Sequence, residues 1–328
     1  MESSSTAAAM PFALSVIIPC YNAEKTIRRC LASVAAQRGL AEDDRVEVIV
    51  IDDASADRSA AVAEACGGQL PLSLRLLRHE HNSGVSCSRN DGIDCAAGQY
   101  IMFLDADDEI EPDCCSRMLS EARRRQADIT AFNIRYYWED GRVRDVFPRL
   151  DCSVSGEGYL AELKGAPYFD ISCAKLFRRD FIEREKLRFT AGMAMGEDTL
   201  FANRAAIRAG RIAICGEYFG YRYYCVGTSA MNSLPVEKRL ENLQLLLESL
   251  AAEVAPSQRR LLLRKSAEYF WTVAKLRGKE RRECLAALTS TGLWRGILYP
   301  VLTGCGKFKH RTVVRLLQHH CWWAISLW

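Results

Sequence analysis

Across residues 14–104 short apolar runs rich in β-branched side chains alternate with longer amphipathic stretches. LSVII is followed by a helical pattern over residues 24–37, VEVIVI by one over 57–66 and LSLRLL by one over 85–97, and QYIMFL closes the series. Strand-length runs separated by helix-length runs predict βαβ units and a parallel sheet. Ligands of such sheets lie beyond the carboxyl ends of the strands. Those ends carry Pro19-Cys20-Tyr21-Asn22, Asp52-Asp53, residues 79–82 and Asp105-Ala106-Asp107-Asp108. The middle of the chain is more mixed: ITAFNIRYYW and FGYRYY read as strands around a helix over 198–209 that opens on an acidic residue, as the positive end of a helix favours.

After Pro235 the period becomes purely helical, with Val236, Leu240, Leu243, Leu247, Leu250 and Val254 four and three apart. A stripe of under three heptads suits a helix packed on its own domain, and it also suits a seam between two chains that would make an oligomer through residues 236–254. Beyond Glu283 no acidic residue occurs, while Arg295, Lys307, Lys309, Arg311 and Arg315 accompany Trp294, Trp322, Trp323 and Trp328. A basic helix with an apolar, Trp-rich face is what interfacial membrane contact requires; the alternative is a terminal helix docked on the core.

Composition narrows the classes. With 44 Lys+Arg against 41 Asp+Glu the chain carries +3, too near balance for a nucleic-acid-binding field. The 14 cysteines are scattered, without CxxC or His–Cys metal spacing, which reads as reduced thiols in the cytoplasm. The first stretch lacks a basic n-region and is broken by Pro11 and Pro19, so no secretory signal is expected, and Met10 is a second candidate start. No apolar run approaches the ~18–20 residues of a spanning helix. The expected location is the cytoplasm, free or peripheral on the inner face of the membrane.

Four hydrophobic residues, Ile101 to Leu104, deliver Asp105 and Asp107 to the mouth of the sheet, where alternation puts both on one side. Two adjacent carboxylates repel, and a hard divalent cation shared with substrate phosphates would relieve them. Asp-x-Asp alone is weak, and a solvated acidic turn explains it equally. Its neighbours change that reading. SVIIPCYNAEKTIRRCLASVAAQ, VIVIDDASADRSA, NSGVSCSRNDGIDCAAGQYIMFLDADDEI and MGEDTLF occur in this order, and together, over residues 14–224, they resemble a family 2 glycosyltransferase of the inverting, bacterial glycan-synthesis type.

The resemblance implies a GT-A fold: a Rossmann-like, mostly parallel central sheet flanked by helices, spanning 10–230, with a nucleotide-binding half near 10–108 and an acceptor half near 109–230. A helical C-terminal region with the basic, Trp-rich tail would follow over 231–328. It implies that Pro19, Tyr21, Asn22 and Glu24 surround the base and ribose of a nucleotide-sugar donor. Asp53 would accept a hydrogen bond from the base, such as uracil N3–H, and Arg89 would contact the nucleotide and offset diphosphate charge. Asp105 would approach ribose and sugar, and Asp107 would bind Mn²⁺ or Mg²⁺ with Asp105 beside it. Asp198 would act as base toward an acceptor hydroxyl, with Glu197 as its support or an acceptor contact. Arg222 is a further candidate for the diphosphate, and Lys175 matches a recurring position.

Each residue also has a plainer reading: a strand-end turn for 19–22, a helix N-cap for Asp53 or Ser55, a surface ion pair for Arg89, a surface cation–π pair for Arg222, and helix-end charge for Glu197 and Asp198. Gly304-Cys305-Gly306-Lys307 lacks the upstream glycine of a P-loop, and His79-Glu80-His81 lacks a third metal ligand. The expected function is inverting, metal-dependent transfer of a hexose or N-acetylhexosamine from a nucleotide-diphosphate sugar, a UDP-sugar foremost. The acceptor would be a hydroxyl of a cell-surface glycan or a lipid-linked oligosaccharide. A nucleotidyltransferase and a non-catalytic membrane-docked scaffold are the alternatives, and the intact acidic positions disfavour both. Deleting the residues after Gly306 should abolish sedimentation of the protein with anionic liposomes; undiminished sedimentation would remove the membrane role of the tail.

Overall fold

The computed structural model describes residues 11–145, 150–156, 170–225 and 235–253. The basic, Trp-rich tail and residue 10, the expected start of the first domain, lie outside them, as do residues 226–234, where the acceptor half was expected to end. The first half follows the hydrophobic alternation: β1 (Phe12–Cys20), α1 (Ile27–Ala35), β2 (Val46–Asp52), α2 (Ser59–Gln69), β3 (Ser73–Arg78), α3 (Val85–Cys95) and β4 (Gly98–Phe103). The second half comprises β5 (Glu109–Ile110), α4 (Cys114–Arg125), β6 (Ile129–Trp138), β7 (Val143–Asp145), β8 (Asp151–Val154) and β9 (Lys175–Arg178). It continues with α5 (Arg179–Arg184), α6 (Glu197–Arg208) and β10 (Ile212–Cys225), and α7 (Val236–Ala251) follows.

All ten strands join one sheet in the order β3-β2-β1-β4-β9-β6-β10-β5, with β7 added to β6 and β8 to β10. The four strands of the first half run parallel. β9 then enters antiparallel between β4 and β6, and β10 returns parallel to β6. The first four strands form the parallel βαβ sheet that the alternation predicted, and the strands after β4 make the whole a mixed α/β sheet with flanking helices. Because helices cover both faces, β1, β2 and β4 read as nearly continuous apolar runs, and Leu14, Ile17, Val48, Ile51, Ile101 and Phe103 are fully buried.

One glycine sets the distance between α3 and the sheet. A Cβ at Gly92 would lie 2.3 Å from Ile17 Cγ2 and 3.1 Å from Ile51 Cδ1, so the helix backbone rests directly on β1 and β2. The leucine stripe of α7 is used within the chain: Leu243, Leu246, Leu247 and Leu250 are buried, and Leu246 Cδ2 reaches within 3.7 Å of where a Cβ on Gly196 would stand, at the start of α6. No helix among the described residues is long and apolar enough to cross a membrane.

Gly92→Ala should lower stability by about 1 kcal/mol in urea unfolding, because overpacking of about 1–3 kcal/mol outweighs the gain in helix propensity. Gly68→Ala on α2, where the added methyl meets nothing within 4 Å, should instead be neutral or stabilising by a few tenths of a kcal/mol. Equal effects of the two would contradict the close approach of α3.

Candidate active site

The carboxyl ends of β1 and β2 pass into two loops that hold each other. Asn22 and Ala54 both take positive φ, 51° and 57°. The Asn22 N–H donates to Ser55 Oγ at 3.0 Å, and the Ala56 N–H donates to Asn22 Oδ1 at 2.9 Å. One residue pair further, the Glu24 N–H donates to Asp57 Oδ2 and the Arg58 N–H to Glu24 Oε2, each at 3.1 Å. Asn22 and Glu24 therefore brace the rim with the side-chain atoms expected to meet ribose. Tyr21 stands 53% exposed on that rim, its ring open to a stacking partner, and Pro19 is half-buried in β1. The N-cap readings fail: α2 starts at Ser59, and its first N–H donates to Asp57 Oδ1 at 2.9 Å, not to Asp53 or Ser55.

Asp53 is only 3% exposed. Its Oδ1 accepts the Ser83 N–H at 2.8 Å and meets His79 Nδ1 at 2.7 Å, and its Oδ2 accepts the Gly84 N–H at 2.8 Å. His79 Nε2 lies 2.9 Å from Asp91 Oδ2 on α3. A carboxylate offers about four acceptor positions, so three are filled and one remains on Oδ2. The sequence considered His79 only as a metal ligand and missed this bridge, whose partners are 26 and 12 residues away.

The centre of the site is Arg89. It is not a surface ion pair: its side chain is 4% exposed, and it meets Asp105 Oδ1 at 3.0 Å, Glu197 Oε1 at 3.2 Å and Asp198 Oδ1 at 2.9 Å. Its guanidinium also lies 5.2 Å from the centroid of the Phe189 ring. Burial works against the Arg89 charge, but Asp198, Asp105 and Glu197 together hold it charged well above the ordinary range. Burial pushes Asp105 upward, against the pull of Arg89 and with the help of Asp198 and Asp107, and burial and Asp198 push Glu197 upward likewise. Gly196, at φ 84°, makes the left-handed turn that presents Glu197 and Asp198 at the first turn of α6. Ser172, which the sequence did not flag, donates its hydroxyl to the same Asp198 Oδ1 that meets Arg89.

The Asp105–Asp108 loop is fastened from β10. Tyr221, fully buried, donates to Asp108 Oδ2 at 2.8 Å and accepts the Asp105 N–H at 3.2 Å, while the Tyr224 N–H donates to Asp108 Oδ1 at 2.9 Å. Asp108 is 1% exposed, and burial with its neighbours Asp105 and Asp107 pushes its carboxyl up to about 9. Arg29 donates to the Asp107 carbonyl at 2.6 Å. Arg222 alternates with Tyr221 along β10 and forms a two-pronged ion pair with Glu111, both bonds 2.7 Å, and it lies 3.7 Å from Glu109, which Arg29 holds at 2.9 Å, so its charge is engaged by carboxylates at and beyond β5. Lys175 is 1% exposed behind the site, donates to the Cys173 carbonyl at 3.0 Å, and is drawn down to about 8 by burial.

The residues fit a divalent cation that arrives with phosphate. Burial raises the Asp107 carboxyl, which accepts only its own backbone N–H and feels Arg29 at a distance. Three further carboxylates share a single guanidinium. Among the described residues no group of three or more His, Cys, Asp or Glu side chains forms a metal cage; an ion such as Mg²⁺ is commonly held by one or two carboxylates, with phosphate oxygens completing its shell.

The chain matches the family model "Glycosyl transferase family 2" over residues 15–185. It is 34% identical over 262 residues to the succinoglycan biosynthesis protein ExoU of Rhizobium meliloti, covering 76% of this chain and 72% of that protein. It spans 62%, 55% and 58% of the length of three other curated relatives. The fold is that of S. aureus TarS 1–349 in complex with UDP-GlcNAc, with TM-score 0.76, 21% identity and coverage of 96% of this chain and 88% of that fragment. It also resembles the mannosyltransferase PcManGT from Pyrobaculum calidifontis in complex with GDP-Man and Mn²⁺, with TM-score 0.57, 16% identity, and coverage of 96% and 87%.

Tyr221→Phe leaves Asp108 Oδ2 without its donor and the Asp105 N–H without its acceptor, and should cost about 1–3 kcal/mol in urea unfolding. An unchanged midpoint would show that the Asp105–Asp108 loop does not depend on this hydroxyl.

Proposed function

The chain belongs to glycosyl transferase family 2, and from that premise we propose that it is an inverting, metal-dependent enzyme that moves a hexose or N-acetylhexosamine from a UDP-sugar to a hydroxyl of a cell-surface glycan or lipid-linked oligosaccharide. The observation that carries this reading is the convergence on Arg89 of Asp105, from the loop after β4, and of Glu197 and Asp198, from the start of α6. A nucleotidyltransferase has no use for the second pair. The UDP-GlcNAc bound to TarS supports the donor class, the Mn²⁺ of PcManGT supports the metal, and the succinoglycan relative supports a glycan acceptor.

In this mechanism Tyr21 stacks on the base, Asp53 accepts its ring N–H, and Pro19, Asn22 and Glu24 shape the rim that holds them. Asp105 and Asp107 hold the metal, which when bound offsets the charge of the departing diphosphate. Arg89 holds Asp198 by Oδ1 at 2.9 Å and so orients its carboxylate at the mouth of the site. Both Arg89 and Ser172 meet Oδ1 of Asp198, so Oδ2 is the oxygen assigned to the acceptor. It takes the proton of the acceptor hydroxyl as that oxygen attacks C1 from the face opposite the nucleotide. The C1–O bond breaks with its electron pair on the diphosphate, and the configuration at C1 inverts. Glu197 holds Arg89 in place from the second carboxylate position. Membrane contact by the C-terminal tail would bring a lipid-linked acceptor to this mouth.

A thermal-shift panel of UDP-, GDP-, dTDP- and CMP-sugars with and without Mn²⁺ tests the donor: UDP-sugars should stabilise the protein only with metal, and Asp107→Ala should erase that shift. Asp198→Asn should lower transfer by about 10²–10⁴-fold while leaving the donor shift intact. Loss of donor binding in Asp198→Asn would sink the base assignment, and a metal-independent shift would sink the metal.

A further inference from the structure

His79 lies where neither family membership nor the mechanism requires an ionisable group, yet both of its ring nitrogens meet carboxylate oxygens: Nδ1 with Asp53 at 2.7 Å and Nε2 with Asp91 at 2.9 Å. An ionised carboxylate can only accept, so each nitrogen has to bring a proton, and a neutral imidazole carries one. Resting on the donor reading above, we infer that His79 is a positioning residue, an imidazolium strut between Asp53 and α3 that fixes the base-accepting carboxylate and makes donor affinity depend on pH.

The surroundings support the charged form. The ring is 16% exposed. Burial alone would favour the neutral ring, but the hydrogen bonds and charges of Asp53 and Asp91 outweigh it and raise His79 above the ordinary histidine range. Asp53 faces the ring from the end of β2 and Asp91 faces it from α3; Arg78, the residue before it, pairs instead with Glu64 at 2.8 Å. The strut therefore ties Asp53 to the helix that carries Arg89, two residues before Asp91. Base recognition and the carboxylate cluster share one rigid element.

The strut also sets which face of Asp53 stays free. His79 and the Ser83 N–H take Oδ1 and the Gly84 N–H takes one side of Oδ2, leaving one acceptor position and no donor. That position suits a base presenting a ring N–H, as uracil N3 and guanine N1 do, and opposes cytosine N3 and adenine N1, which present lone pairs. When pH rises through the raised value of His79 the ring loses one proton. One carboxylate then faces a lone pair, and the hold on Asp53 weakens. A group raised in this way contributes below that value and loses its contribution above it.

Two measurements test this. ¹⁵N spectra of the intact protein at about pH 7 should show both His79 ring nitrogens protonated. Calorimetric binding of UDP-GlcNAc with Mn²⁺, whose diphosphate diester does not titrate in the range, should weaken about five- to tenfold between about pH 6 and about pH 8.5. His79→Gln should bind more weakly at the lower pH and show a flat profile, which a merely structural residue would not produce. A singly protonated ring at neutral pH overturns the strut and leaves the donor reading standing. A flat wild-type profile with a doubly protonated ring overturns its role in binding. GDP-mannose is run in parallel: if neither nucleotide sugar binds while the ring is doubly protonated, the donor reading fails and the role in binding falls with it.

Discussion

The structure depends on one buried guanidinium. Placing an isolated charge in a protein interior costs several kcal/mol, and the cost is met only by close, well-aligned partners. Arg89 has three, and they come from distant parts of the chain: Asp105 from the loop after β4, and Glu197 and Asp198 from the first turn of α6. None of the three can move far without leaving Arg89 uncompensated. The side chain therefore fixes the distance between the two halves of the site. Gly92, one helical turn beyond Arg89, completes the constraint, since it lets α3 rest on β1 and β2 closely enough for Arg89 to stand at the mouth.

The same cluster is unbalanced, and the imbalance gives it its chemistry. Three carboxylates around one guanidinium leave an excess of negative charge, and Asp107 and Asp108 add to it nearby. Burial resolves part of the excess by raising Asp105, Asp107, Asp108 and Glu197 toward their neutral forms. A divalent cation would resolve it differently, by allowing the carboxylates nearest the phosphate to ionise fully. Asp198 has a different environment, since its Oδ1 meets both Arg89 and the Ser172 hydroxyl. The proposed mechanism uses this difference, giving the Asp105 side to metal and phosphate and the Asp198 side to proton transfer.

How much of this was legible in the sequence follows from the range of each interaction. β1, β2 and β4 were readable because buried parallel strands are apolar throughout, β3 as an alternating edge strand, and α1 to α3 as the helix-length segments between them. β6 matched the ITAFNIRYYW run residue for residue. β7, β8 and β9, of three or four residues each, carry too little pattern and exist through pairing with β4, β6 and β10. α4 was passed over, although its charged last turn, Arg123 to Arg125, follows the usual helix-end preference. Within the site, the acidic motifs were readable as motifs, but their meeting on Arg89 was not, because it joins residues 16 and 108 positions apart. Arg222 was not legible for a related reason: its neighbours in sequence line the site, while its own partner, Glu111, lies far away in the chain.

The C-terminal leucine stripe illustrates why pattern alone leaves partners open. Leucines at 243, 247 and 250 are the same signal whether they meet a second chain or their own, since both surfaces reward an apolar face of equal width. Here a polar side chain decides between them. Asn242, beside the stripe, is 4% exposed and accepts the Ala194 and Met195 N–H groups at 2.9 and 3.3 Å. Those groups belong to the segment immediately before Gly196-Glu197-Asp198. Glu253, just past α7, ties to Arg204 and Arg208 on α6 at 2.5 and 2.8 Å. A buried amide that satisfies two backbone donors fixes one register, which an apolar stripe does not. α7 is thereby positioned as a brace for the loop that presents Asp198, and the helix that looked like an appendage in the sequence contributes to holding the proposed proton acceptor in place.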